Sequence, residues 1–384
     1  DGAKLSGGKQ VRLLIANAGG QSDYAPEVAG LIVEATKEDA TIVGVMGWPF
    51  SAYALKATPV LDKAHIPMVS SDASTDLLSG ISPYFFRIVP PNKSQAVAGA
   101  KYAEEVLHAK NVALFVDPKD PYCNTLATGF QQQFVDADGN KIVDTENFTR
   151  KKDQPILPGL LQKALNSNPD LIYFACYPDD LAVLLLNFPS SYPNLQVLGG
   201  DALYELGGYP SSAGPSLSRL RFTAFAYPDE WSIVGMKEPH PFFDEYKAAF
   251  NPANADHSGK PYGFIRAGSD VILSYDATVA LLQGCQNVLT ANNALTPITL
   301  QHGLTEINGA KAIQGLSGQI SFGSNGDPVD KALLILYFDP DVHIHMLEQN
   351  GVQGCFILGK CSSPTTLPTG SLVAPPVSYK SGLH

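Results

Sequence analysis

Short apolar runs alternate with stretches whose apolar residues recur every three or four positions, and this alternation organises most of the chain. The runs are Val11 to Ala16, Thr41 to Met46, Ile66 to Ser70, Asn111 to Asp117 and Lys141 to Asp144, then Leu171 to Cys176, Leu195 to Leu198, Leu220 to Ala226 and Leu333 to Phe338. Several are apolar throughout, the signature of parallel strands covered on both faces. Between them, Val28, Leu31, Ile32 and Ala35 mark one helix, Leu126, Phe130 and Phe134 a second, and Val271, Ser274, Tyr275, Thr278 and Leu281 a long third. Thr296 followed by Pro297 predicts a capped helix start ahead of Ile298, Leu300 and Leu304. Repeated strand and helix units of this kind predict an α/β fold with doubly wound sheets.

Three stretches break the alternation: Arg87 to Ser94, Ala224 to Glu230 and the Gly-rich run Ser317 to Asp327. Extended or proline-stiffened backbone there predicts crossings between two lobes, each discontinuous in sequence. The expected division is 1–92 with 227–318 for the first lobe and 93–226 with 325–355 for the second, leaving 356–384 as a Ser-, Pro-, Thr- and Gly-rich tail. A length of 384 residues suits two domains of ordinary size.

Open α/β sheets bind small molecules beyond the carboxyl ends of their strands. The clusters at those ends are Gly47 to Ser51, Ser70 to Ser74, Asp117 to Tyr122, Cys176 to Asp180 and Gly199 to Asp201. They contain neither a nucleophile with its base nor a metal-ligand set, so no catalytic residue and no cofactor is expected. His343 and His345 share a strand face but have no third ligand in the sequence pattern, so no metal site is assigned to them. A net charge of −11 without a basic stripe opposes nucleic-acid binding. Of the five cysteines, Cys355 and Cys361 are close enough in a Gly-rich loop to form a small disulfide, whereas Cys123, Cys176 and Cys285 read as packing residues.

The stretch from Ser51 to Ser74, followed by Tyr122, Tyr177 and Asp201, resembles the type I periplasmic binding proteins, in particular the leucine/isoleucine/valine-binding branch that serves ABC transporters. The likeness rests on Ile66 to Ser74, on its spacing from Ser51 and on the separation of Tyr177 from Asp201, and it spans roughly residues 5 to 345. It implies two Rossmann-like lobes joined by three crossovers, an amino acid or analogue held in the interlobe cleft, a membrane permease as partner and an extracytoplasmic location. The same fold also serves as the sensor domain of receptors and amide-type regulators.

By that likeness Ser51 and the helix that follows it face the ligand's carboxylate, and Ala73 and Ser74 offer backbone groups and a hydroxyl. Asp72 stands where the family has a small uncharged residue, so a turn-forming role competes with a ligand role. Asp201 replaces a family glutamate that meets the ligand's ammonium. Tyr122 and Tyr177 reach the ligand from the second lobe, and Trp48 and Phe50 are candidate pocket walls. Asp270 lies where relatives that hold aliphatic ligands place an aromatic, implying a more polar side chain; a shift of a few residues would put Tyr262 or Phe264 there instead. Val11 to Ala16 matches the family's second strand, so the opening strand and helix have no counterpart, and an N-terminal fragment of the same protein is the expected supplier. A nicotinamide-dependent oxidoreductase is the remaining alternative, from Asn17 to Gly20, but the chain lacks the dinucleotide fingerprint after a strand.

Overall fold

A computed structural model describes residues 5–18, 20–135, 139–229, 242–251, 266–341, 343–346, 348–349 and 352–353. They fall into two compact units, the first containing residues up to Pro90 and then 242 to Lys331, the second containing Pro91 to 229 and the residues from Ala332 onward.

The first unit has a parallel sheet of three short strands, Val45–Met46, Met68–Ser70 and Phe85–Arg87, in that spatial order. Helices Ala25–Glu38 and Ser51–Lys63 bury Ala25, Ala29, Ala54, Ala57 and Leu61 in one core with Met68 and Phe85. The predicted long helix is Ser269–Thr290, and Thr296 caps helix Pro297–Thr305 through a reciprocal pair of bonds with Thr299. An antiparallel hairpin, Ile313–Gly315 with Gly318–Ile320, completes the unit.

Two expectations change here. Val11 to Ala16 forms no strand, and Leu13, Leu14 and Ile15 are 73%, 53% and 91% exposed. Apolar composition alone cannot make a strand when no neighbouring strand satisfies its backbone. The run Ser317 to Asp327, expected to be a crossing, lies within the first unit because buried Asp276 and Arg87 hold it. Asp276 accepts from Leu316 N at 2.7 Å and Ser317 N at 2.8 Å, and Lys331 Nζ reaches Ser317 Oγ at 2.6 Å.

Arg87 is fully buried, and every polar arm is used. Nε donates to Asp327 Oδ1 at 2.7 Å, Nη1 to the carbonyls of Ala73 (3.0 Å) and Thr75 (2.9 Å), and Nη2 to Ser79 Oγ at 2.7 Å. Desolvation pulls its pKa down, and the Asp327 carboxylate acts in the opposite direction. A cation here survives only because it is matched charge for charge and bond for bond.

The second unit is built on a seven-stranded sheet ordered Ile344–Met346, Leu334–Phe338, Leu220–Ala224, Gln196–Gly199, Leu171–Ala175, Asn111–Val116 and Lys141–Asn147. The last five are parallel and the first two antiparallel additions. Leu171–Ala175 is buried along its whole length, as its unbroken apolar run predicts. The chain leaves Asn111–Val116 for the edge strand Lys141–Asn147, then returns on the other side at Leu171–Ala175. The order therefore reverses between those two inner strands, the kind of position beyond which open α/β sheets bind ligands.

Asp327→Ala strands the Arg87 guanidinium and is expected to cost about 3–5 kcal/mol of stability. Urea unfolding of the full chain measures it, and the Arg87→Met/Asp327→Leu pair should recover most of that loss.

Candidate functional site

Each unit gathers part of the expected site at the carboxyl ends of its parallel strands. In the first unit, Gly47 to Ser51 follows strand Val45–Met46, and Ser70 to Thr75 follows Met68–Ser70. Ser70 Oγ joins the two loops, donating to Trp48 O at 3.0 Å and accepting from Ala73 N at 3.2 Å. Trp48 holds a left-handed φ of 34°, a strained conformation for a bulky residue, while its indole is buried and Nε1 has no partner.

Ser51 is the first residue of helix Ser51–Lys63 and not its cap; Phe50 occupies the cap position without a side-chain bond. Its hydroxyl accepts from Thr75 N at 3.1 Å, which ties the second loop to the helix start. The intrahelical ladder begins with Tyr53 N and Ala54 N, both donating to Phe50 O. Among the described residues the N–H groups of Ser51 and Ala52 therefore stand free at the positive end of the helix. Ser74 is fully buried, yet its Oγ has no hydrogen-bond partner. A free hydroxyl and free amides on neighbouring loops form a donor set suited to a carboxylate.

The other expected residues of this unit have the following surroundings. Ala73 has both backbone groups engaged internally, its N–H by Ser70 and its carbonyl by Arg87, so it fixes the loop. Asp72 is half-buried, and Phe50 is exposed with its ring 5.8 Å from Tyr53. Asp270 is exposed in the first turn of Ser269–Thr290, where a carboxylate complements the helix dipole. Tyr262 and Phe264 lie outside the described residues, as do Cys355, Cys361 and the expected tail 356–384.

In the second unit, Tyr122, Tyr177 and Asp201 follow three adjacent parallel strands, and the structure brings them together. Tyr122 Oη donates to Asp201 Oδ1 at 2.9 Å and accepts from Ala202 N at 3.1 Å. Gln95 Nε2 donates to the same carboxylate oxygen at 2.6 Å, while Gln95 Oε1 accepts from Asp201 N at 3.1 Å and from Thr223 Oγ1 at 2.5 Å. Gly200 is required here, since a Cβ would sit 2.5 Å from Tyr122 Oη. Burial raises the Asp201 pKa to about 6, with the bonds from Gln95 and Tyr122 limiting the rise. The Tyr177 ring lies 5.1 Å from that of Tyr122, and the Arg150 guanidinium sits over it at 3.5 Å. Arg150 is itself surrounded by Asp120, Asp179 and Asp180 at 3.6–3.8 Å.

Sequence reasoning missed Gln95 and Arg150, and it misread two cysteines. Gln95 sits in helix Asn92–Glu105 among small apolar residues and carries no motif. Cys123 and Cys176 are bonded to each other, with Cα atoms 4.6 Å apart, and are not separate packing residues. The available signal was that each cysteine adjoins one of the two expected tyrosines. Cys285 is free and buried.

For metals, Asp339, Asp341 and His343 place ligand atoms within 4.8 Å of one another, and His345 Nε2 lies 2.8 Å from Asp339 Oδ2. The structure thus supplies the neighbours that the histidine pair lacked in sequence. Asp339 is already bonded by the N–H groups of Asp341 and His343, and the cluster is a solvent-facing turn between strands Leu334–Phe338 and Ile344–Met346. No helix among the described residues is long and apolar enough to cross a membrane.

The family profile described as periplasmic binding protein matches residues 3–335. No curated protein matches the chain. Among solved structures, the leucine-binding protein LivK of Thermotoga maritima is similar with a TM-score of 0.72 at 20% identity, over 89% of this chain and 88% of that one. LivJ of Streptococcus pneumoniae, a branched-chain amino acid transporter substrate-binding protein in complex with isoleucine, has a TM-score of 0.71 at 19% identity over 90% and 89%. An ABC-transporter solute-binding protein of R. palustris in complex with benzoate has a TM-score of 0.70 at 15% identity over 92% and 87%. At these identities the likeness establishes the fold and not the ligand.

Removing the Gln95 donor by Gln95→Leu should move the Asp201 titration midpoint above 6, because a hydrogen bond to the charged form is lost. Carboxyl-carbon NMR of the ligand-free protein reads the shift.

Proposed function

Because the chain belongs to the periplasmic binding protein family and has its type I fold, we propose that it captures an amino acid or a closely related small carboxylate for an ABC permease. Asp201 carries this reading: a half-buried carboxylate, oriented by Gln95 and Tyr122 at a strand end, suits a ligand ammonium. The free donors around Ser51 and Ser74 in the other unit suit the ligand's carboxylate. Under this proposal the two units close on one zwitterion, and the closed form is what the permease recognises. A sensor domain would use the same chemistry with a different partner.

An aromatic carboxylate is the second reading, favoured by the paired rings of Tyr122 and Tyr177. It leaves Asp201 without a countercharge, which ranks it below an amino acid. An extracytoplasmic location agrees with the family and with a disulfide, which persists in oxidising compartments.

Calorimetry with L-leucine, L-isoleucine, benzoate and 4-hydroxybenzoate tests the ligand class. An amino acid should bind, and Asp201→Ala should weaken it by about 2–5 kcal/mol; binding of the aromatic acids alone would overturn the first reading. The pH dependence has a definite sign. With a free-protein pKa of about 6, Asp201 is charged above that pH and neutral below it, so amino-acid affinity is lost as pH falls through 6. From pH 8 to pH 5 the loss should be about tenfold in the native protein and absent in Asp201→Asn.

A further inference from the structure

Tyr122 is followed in the chain by Cys123, Tyr177 is preceded by Cys176, and the two sulfurs are bonded. The bridge joins the first turn of helix Pro121–Val135 to the residue after strand Leu171–Ala175, positions 53 residues apart in sequence. These elements flank the reversal of strand order, beyond the last ladder pair of the two strands, Val116 with Ala175.

Closing a loop of this size restrains the unfolded chain wherever the bridge is placed. What this placement adds is local. Below the two loops the strands are already held together by five consecutive parallel pairs, Val112 with Leu171 through Val116 with Ala175. Above them, a change in the distance between residues 122 and 177 would alter the 5.1 Å ring contact. Other groups restrain each tyrosine separately. Asn92 Nδ2 donates to Tyr122 O at 2.9 Å, and Arg150 covers the Tyr177 ring. Of these restraints, the bridge alone is a covalent link between the residue beside one tyrosine and the residue beside the other.

We propose that the Cys123–Cys176 bridge is a positioning device for the ligand, setting the spacing of the Tyr122 and Tyr177 rings as a preformed platform. A platform fixed before binding loses less side-chain freedom on contact, so the bridge acts on affinity through the rings. This inference rests on the binding role proposed for the two tyrosines, and its test separates the two claims.

The test compares the full chain with Cys123→Ser/Cys176→Ser and with the space-filling pair Cys123→Ala/Cys176→Val, should the serine pair fail to fold. In the ligand-free protein, loss of the bridge should diminish the near-ultraviolet tyrosine dichroism while the far-ultraviolet spectrum stays native. With L-leucine and 4-hydroxybenzoate as probes in calorimetry, the dissociation constant of whichever binds should rise about tenfold. In a Tyr177→Leu background, where no ring pair remains, the same loss should change it by less than twofold. An equal loss in both backgrounds would reduce the bridge to a general stabiliser, and an unchanged dissociation constant with native tyrosine dichroism would remove it from the site. If neither probe binds the unaltered protein, the binding role fails on its own, and the dichroism still decides whether the bridge orders the rings.

Discussion

A carboxylate taken partly out of water must be compensated, and in the second unit that requirement organises the strand ends. Asp201 is held by a glutamine from one helix and a tyrosine from another, so three parts of the chain far apart in sequence are fixed by one oxygen atom. Two side-chain donors oppose the rise that burial causes and hold its pKa at about 6. They do not supply a full countercharge. A ligand ammonium would, and in the same poorly solvated surroundings that raise the pKa two opposite charges attract more strongly than in water.

The first unit solves the opposite problem. Arg87 brings a permanent positive charge into the core, and Asp327 with two carbonyls and a hydroxyl satisfies it. Those carbonyls belong to Ala73 and Thr75, so the buried cation shapes the loop that carries Ser74. The guanidinium holds that loop by two of its carbonyls, and the loop still carries the unpartnered Ser74 hydroxyl.

The fold was legible because unbroken apolar runs and three- or four-residue spacing report parallel strands and covering helices directly, as at Leu171–Ala175 and Ser269–Thr290. Asn111–Val116 and Leu334–Phe338 lie within a residue of the expected runs at each end. Val11 to Ala16 failed for a reason that periodicity cannot see: a strand needs a neighbour. The run from Ser317 to Asp327 looked like a crossing because glycine content signals turns but does not say which buried charge, Asp276 or Arg87, will hold them. At the strand ends, Tyr122, Tyr177 and Asp201 were singled out by the order and spacing of the family likeness, and the structure places them side by side. Gln95 was not found, because a polar residue buried in a helix has no local pattern. Cys123 and Cys176 were misread because their apolar neighbours suggested packing, while their equivalent places beside two tyrosines carried the useful signal.

The amino-acid reading turns on the Asp201 carboxylate meeting a positive ligand group. The most direct measurement is a crystal structure of the protein with L-leucine bound. The account predicts the ligand nitrogen about 3 Å from an Asp201 carboxylate oxygen, with the ligand carboxylate at the Ser51 and Ser74 donors. A ligand that lies elsewhere, or turns its carboxylate toward Asp201, would contradict it.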